Sequence, residues 1–244
     1  MLRNKADEVT NPGREALRRT VGARMAPEAS HPGTVGRADE LAELAEAVRR
    51  LIAATVTSRA SAAEVSACTK ELDAIAERLE THVPDPAPHI TQTGGSGSIL
   101  DGPTMAERMP FDVVIGRCTP LALPVEIEFD GDRAIGRASF TTPYEGPPGC
   151  VHGAVIAATF DIVLTAANML ANAAGLTVSL SMRYRRPTLL HEEARFEAWV
   201  DQVEERRVHT RGRIVQRDKV TVEAEGVFAP LQSGQRLRAW VENA

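Results

Sequence analysis

A single acidic residue inside a long apolar stretch constrains the fold of this chain more than any other feature. Asp161 is the only side chain between Glu145 and Arg183 that is ionised at neutral pH. The stretch around it, residues 151–174, is apolar on nearly every side, and a helix that is hydrophobic all round is a buried helix. A buried carboxylate is costly unless it is hydrogen-bonded, paired or chemically useful. The pattern therefore predicts a buried helix that carries one functional acidic residue.

The segments on either side of this helix have the sequence pattern of antiparallel strands. Residues 121–129 and 133–140 flank the sequence Asp-Gly-Asp, which is typical of a hairpin turn. After the helix, short separations divide four further candidate strands, over residues 177–186, 194–203, 207–217 and 220–228, and short connections favour antiparallel neighbours. Gly175 suits the left-handed position just past a helix end. These elements predict an α+β fold in which an antiparallel sheet wraps around one long buried helix.

The strand that follows the helix shows a clear alternation. Its apolar positions are Val178, Leu180, Met182 and Tyr184, and polar positions such as Thr177 lie between them. Alternation of this kind predicts that the apolar set faces the core and that the polar set faces water or a partner.

The first hundred residues have a different character. Residues 1–36 are polar and proline-containing and are predicted to form a mobile arm, and residues 84–110 form a Pro/Gly-rich linker. Between them, residues 37–83 carry apolar positions at the three-and-four spacing of helices, first from Leu41 to Ile52 and then from Val65 to Leu79. We expect a helical hairpin that packs on its own domain or on a partner subunit, with a regulatory or partner-binding arm as the alternative. Residues 111–230 then form the main domain and residues 231–244 a tail.

Composition excludes several classes of function. The net charge of −5 argues against general nucleic-acid binding. The three cysteines are widely spaced and contain no C-x-x-C pair, so neither a disulfide framework nor a zinc site is predicted, and a reducing cytoplasm is the natural location. Because Asp161 interrupts the apolar run, we do not predict insertion into a membrane.

Two segments resemble the acyl-CoA thioesterases of the hot-dog fold, of the phenylacetate-pathway and thioesterase-superfamily type. Residues 146–161 are similar to that family's glycine-rich turn, its His-Gly-Gly triplet and an acid eight positions after the first glycine. Residues 177–187 are similar to its Thr-x-x-Leu…Tyr-x-x-Pro strand. The resemblance covers about residues 110–230. The chain departs from the family at Ala154, where a second glycine is usual, and near Gly146, where some members carry an Asn.

The resemblance implies an acyl-CoA thioester hydrolase that needs no metal or redox cofactor. The Gly153 N–H would be the donor to the oxyanion, and Asp161 would be either a general base or a nucleophile. Thr177 matches the family position whose hydroxyl holds the attacking water. His152 would order the turn or, alternatively, transfer a proton, and Ala154 would lie beside the substrate.

Binding of coenzyme A would fall to a cluster of arginines at the end of this strand. Arg183, Arg185 and Arg186 could meet the phosphates, since guanidinium groups suit phosphate oxygens. The alternative is a solvated strand end or a subunit contact.

The spacing of the candidate residues also predicts an oligomer. Gly153 and Asp161 are eight residues apart, which is roughly 12 Å along one helix. Two groups that act on one carbonyl cannot easily be that distant. We therefore expect a homodimer, possibly a tetramer, in which Gly153 of one subunit faces Asp161 and Thr177 of another.

Two rival functions remain open. A hot-dog hydratase or dehydratase typically pairs its Asp with a His a few residues later, but no His occurs between Asp161 and His191. A non-catalytic acyl-CoA-binding or interaction protein is the second rival, and Ala154 and the missing Asn are its best support.

Overall fold

The computed structural model describes residues 32–87 and 104–230. Most of the predicted arm, much of the predicted linker and the predicted tail lie outside these residues, so the domain boundaries stay a prediction. The elements are α1 (Ala38–Thr57), α2 (Ala62–Glu80), the short α3 (Met105–Arg108), β1 (Val125–Asp130), β2 (Arg133–Ser139), α4 (Gly153–Leu170), β3 (Gly175–Tyr184), β4 (Glu193–Val203), β5 (Val208–Gln216) and β6 (Lys219–Pro230).

The six strands form one antiparallel sheet that surrounds α4. Their order is β1-β2-β4-β5-β6-β3, and α4 makes contacts with all six. The predicted α+β hot-dog architecture, with a helical extension before it, is therefore confirmed. β3 lies at one edge of the sheet, paired on one side with β6.

The core is built on the apolar helix α4. Phe160, Val163 and Leu164 on this helix are completely buried, and the ring of Phe160 meets that of Phe196 on β4 edge-on, with 5.2 Å between centroids. Burial of each such side chain contributes about 1.5–3 kcal/mol. By length and composition α4 could cross a membrane, but half of its residues are buried inside the protein.

The start of β1 and the role of Gly175 differ from the predictions. β1 begins at Val125, four residues late, because Pro124 has no N–H to join a ladder. α4 ends at Leu170, and Asn172, with φ 52°, takes the left-handed position that was predicted for Gly175. Gly175 instead begins β3, where an added Cβ would lie 2.4 Å from the carbonyl oxygen of Ala229. The glycine therefore permits close pairing with β6.

A β-bulge near the start of β3 changes which residues face the helix. Thr177 pairs with Phe228 and Ser179 pairs with Val227, so Val178 is the extra residue. Because a bulge inserts one residue, the side-chain alternation changes phase there. Val178 is 52% exposed, whereas Thr177 reaches α4. The prediction that Val178 faces the core and Thr177 faces away was wrong for this reason.

The two N-terminal helices are held very differently. α1 docks on the main domain through the buried Ala45 and through Arg49, whose Nη1 donates to the carbonyl oxygen of Thr119 at 2.7 Å. α2 begins at a Ser61 cap, but every one of its residues is exposed. Packing of the second helix on its own domain is therefore not found among the described residues.

Candidate active site

The turn before α4 is shaped by two glycines. Gly149 has φ 73°, and its N–H donates to Oε1 of Glu145 at 2.6 Å. An added Cβ on Gly146 would lie 2.8 Å from the Cα of His152, so the chain can pass there only without a side chain. Gly146 lies near the position where some members of the family carry an Asn. A glycine is required there because the turn passes so close to the start of the helix.

His152 caps the N-terminus of α4. Its Nδ1 accepts a hydrogen bond from the N–H of Ala154 at 3.0 Å, so in the neutral ring the proton lies on Nε2. This is the structural role that the sequence favoured for His152. The side chain of Ala154 is exposed, and only the backbone N–H of this residue takes part in the cap. The cap therefore does not require a second glycine at this position.

The Gly153 N–H is available to a ligand. It belongs to the first turn of α4, where backbone N–H groups have no partner within the helix, and no acceptor for it lies among the described residues. The positive end of the helix dipole adds to the attraction for a developing negative charge. The residue predicted to be the oxyanion donor therefore has a free backbone N–H, and its role in the reaction stays a prediction.

Tyr184 supports the same end of the helix, and the sequence analysis missed this role. Its hydroxyl donates to the carbonyl oxygen of Gly153 at 3.1 Å. Burial raises the pKa of Tyr184, so the hydroxyl keeps its proton and remains a donor at neutral pH. The tyrosine of the Tyr-x-x-Pro segment was the available signal, but it was assigned to the core-facing set.

Asp161 and Thr177 form the second group of the site. Asp161 is half-buried on the flank of α4, and the Oγ1 of Thr177 donates to its Oδ1 at 2.8 Å. Within the described residues the other carboxylate oxygen, Oδ2, accepts no hydrogen bond, so it can accept one from water. The structure therefore brings the predicted base and the predicted water-holding residue together.

One chain does not bring both groups of the site together. Gly153 is the first residue of α4, and Asp161 lies more than two turns further on, roughly 12 Å away along the axis. The donor end and the acid of a single chain are therefore too far apart to act on one carbonyl.

The three arginines at the end of β3 are exposed, and two of them have local partners. Arg185 forms an ion pair with Glu223 at 2.8 Å, and Nη1 of Arg186 donates to the carbonyl oxygen of Val220 at 2.8 Å. Arg183 makes no ion pair within the described part of the chain. Their binding of phosphate stays a prediction.

A cleft beside α1 lies apart from the predicted site residues. It has a volume of about 820 Å³, lies between α1 and the start of β1, and is lined in part by Arg49, Arg137 and Glu193. In residues 32–87 and 104–230, no group of three or more His, Cys, Asp or Glu side chains is placed to hold a metal ion.

Comparison with known proteins gives the family. A family model described as the thioesterase superfamily matches residues 148–223. The crystal structure of a thioesterase superfamily protein is 34% identical, with a TM-score of 0.65, over 78% of this chain and 90% of that one. Zebrafish thioesterase superfamily member 2 is 16% identical (TM-score 0.42; 44% of this chain, 82% of that one), as is a protein of the phenylacetic acid degradation operon of E. coli (TM-score 0.41; 43% and 82%). From the first two matches, this chain belongs to the thioesterase superfamily.

Proposed function

We propose that this protein hydrolyses acyl-CoA thioesters to the free acid and coenzyme A. Membership of the thioesterase superfamily supports thioester hydrolysis in general. The observation that carries the proposal for this chain is the 2.8 Å hydrogen bond between Thr177 and Asp161, which places a hydroxyl beside the single acid of the buried helix.

In the proposed reaction Asp161 acts as the general base. A water held by the Thr177 hydroxyl gives a proton to Oδ2 of Asp161 while its oxygen attacks the thioester carbon. The Gly153 N–H stabilises the oxyanion that forms. When the carbonyl re-forms, the C–S bond breaks, and the proton on Asp161 passes to the departing sulfur. Direct attack by Asp161 to give a mixed anhydride is the alternative route.

The proposed site uses two copies of the chain. β3 is a ten-residue strand at the sheet edge, and such an edge offers unpaired backbone groups to another strand. Pairing of β3 with β3 of a second copy would continue the sheet and bring Gly153 of one copy toward Asp161 and Thr177 of the other. The separation of these residues within one chain supports this arrangement.

The proposed coenzyme A site lies at the exposed end of β3. Arg183, without an ion pair among the described residues, would meet a phosphate directly. Arg185 would exchange its exposed pairing with Glu223 for a phosphate, which costs little because exposed ion pairs contribute about 0–1 kcal/mol.

Thiol release from short, long and aryl acyl-CoAs tests the proposal. Asp161→Asn should lower kcat on the order of 10²–10⁴-fold, because it removes the base. Asp132→Asn, in the exposed β1–β2 turn, is the matched control and should be unaffected. Binding of acyl-CoA without thiol release from the wild type would contradict hydrolysis and favour the non-catalytic binding protein.

A further inference from the structure

An apolar stripe on α2 has no partner in the described part of the chain. It consists of Val65, Cys68, Leu72, Ile75 and Leu79, which we call the α2 seam. Its four large apolar residues are between 39% and 54% exposed, and no residue of α2 is buried. Most of the stability of helices in proteins comes from packing of an apolar face, so a surface that covers this stripe would stabilise α2.

The spacing of the seam indicates what kind of surface covers it. Its residues recur in steps of three, four, three and four, which is the two-in-seven pattern of a helix that pairs with one other helix. All other positions of α2 are polar or alanine. A helix that packs on a globular core shows a broader stripe. The seam therefore fits a second helix of similar length.

We propose that α2 pairs, in antiparallel orientation, with α2 of a second copy of this chain. The charged positions beside the seam are Glu64, Glu71 and Arg78, and none of them forms an ion pair within the described residues. When Leu72 of one copy lies opposite Ile75 of the other, Glu71 of each copy lies beside Arg78 of the other. The pairing thus gains two equivalent ion pairs across the seam.

Other arrangements of two α2 helices match less well in charge. A slide of one heptad in one direction sets Glu71 against Glu71 between two Glu64–Arg78 pairs, and a slide in the other direction sets Arg78 against Arg78; like charges at these positions oppose pairing. A parallel pair would set Glu71 against Ala76 and Arg78 against Val83. The other flank of the proposed pair has only Thr69 and Ala76, which are small and uncharged and let the helices approach.

Disulfide trapping tests both the contact and its direction. In the proposed register Cys68 lies opposite Leu79 of the second copy. Leu79→Cys should therefore form an intermolecular disulfide with Cys68 under mild oxidation, seen as a dimer on a non-reducing gel. Residues 68 and 79 of one helix are roughly 16 Å apart and cannot bridge within a chain.

Two controls make the trapping specific. Ala74→Cys, on the far side of α2, should not give the dimer, and Cys68→Ser should abolish the cross-link of Leu79→Cys. A dimer joined through two Cys68 residues in the wild type would show parallel pairing and would overturn the proposal. So would the absence of any cross-link, which would indicate that another part of the chain covers the seam.

Sedimentation over a concentration series gives a second readout that is independent of hydrolysis. Leu72→Glu places a carboxylate in the centre of the seam and should weaken this self-association on the order of 100-fold. Ala74→Glu adds the same charge outside the seam and should leave it unchanged. Equal association of both variants would overturn the proposal. Thiol release, if present in the wild type, should persist in both.

Discussion

At the scale of single residues, the hydroxyl of Thr177 is the group that distinguishes Asp161 from an ordinary buried acid. Thr177→Val removes the 2.8 Å hydrogen bond to Oδ1 while keeping the shape of the side chain. We expect kcat to fall about 10–100-fold, because the water loses its orientation. The melting temperature should change little, since Thr177 is exposed.

Thr177→Ser is the matched control for this substitution. It keeps the hydroxyl and should retain most of the activity. Equal activity of the Val and Ser variants would contradict the role of the hydroxyl, whatever their stability.

The residue types of the site were predictable from the sequence, but several of their roles were not. The lone acid in an apolar run singled out Asp161, and the resemblance to the family implied the role of Gly153. The requirement for glycine at 146 depends on an approach of 2.8 Å to the Cα of His152, which only the folded turn creates. The bond from Tyr184 to Gly153 spans 31 residues, and alternation carries no information on such a contact.

At the scale of elements, the bulge in β3 decides whether Thr177 can reach Asp161. Deletion of Val178 removes the extra residue and should return Thr177 to the face away from α4. We expect thiol release to fall at least as far as in Thr177→Val, because the hydrogen bond to Asp161 is lost along with the alignment of the strand.

Val178→Ala is the control for the deletion, because it shortens the side chain without changing the register. It should retain most of the wild-type rate. A deletion variant that stays folded by circular dichroism and remains fully active would contradict the role of the bulge.

The docking of α1 can be followed through Cys118. This thiol lies under the helix, with its Sγ 3.5 Å from the carbonyl oxygen of Ala38, and burial raises its pKa. Since the thiolate is the reactive form, iodoacetamide at pH 8 should label the half-buried Cys150 before the buried Cys118. Labelling of Cys118 should accelerate as the pH rises above the ordinary thiol range.

Loosening of α1 should expose this thiol. Arg49→Ala removes the bond to the carbonyl oxygen of Thr119 and should speed the alkylation of Cys118, whereas Arg50→Ala, at an exposed position, should not. Mass spectrometry of the labelled peptides separates the two cysteines. Equal rates in both variants would show that the Arg49 contact does not hold the helix.

The elements themselves were largely predictable, and their surroundings were not. Three-and-four spacing indicated α1 and α2, which each have an apolar face, and the continuous apolar run indicated the buried α4. The same pattern in α1 and α2 nevertheless leads to a docked helix in one case and a fully exposed one in the other. An amphipathic pattern shows that a face exists but not what covers it, and the bulge was hidden because one extra residue leaves no mark in composition.

At the scale of the whole molecule, a site shared between copies can be tested by mixing two inactive variants. Gly153→Pro removes the proposed oxyanion donor, and proline suits the first position of a helix because His152 before it is already extended, with ψ 135°. A Cβ at position 153 would lie 3.2 Å from the hydroxyl oxygen of Tyr184, so this side chain must move slightly. Asp161→Asn removes the base. Mixed dimers would hold one intact site, so random mixing should recover about a quarter of the wild-type activity.

A mixture that stays inactive would contradict a site shared between two copies. If Gly153 and Asp161 of one chain worked together, every site in the mixture would carry a defect, and no activity would return. Each variant alone must be inactive and must have the wild-type mass in solution for the comparison to hold.

The enclosure of α4 by all six strands has a consequence for the opening motions of the molecule. The helix that carries both Gly153 and Asp161 contacts every strand, so the amide hydrogens beyond its first turn should exchange with solvent only when the whole domain opens. Asp161 therefore keeps its position until the domain opens, whereas Thr177 lies on the edge strand β3 and can separate from Asp161 in a smaller, local opening.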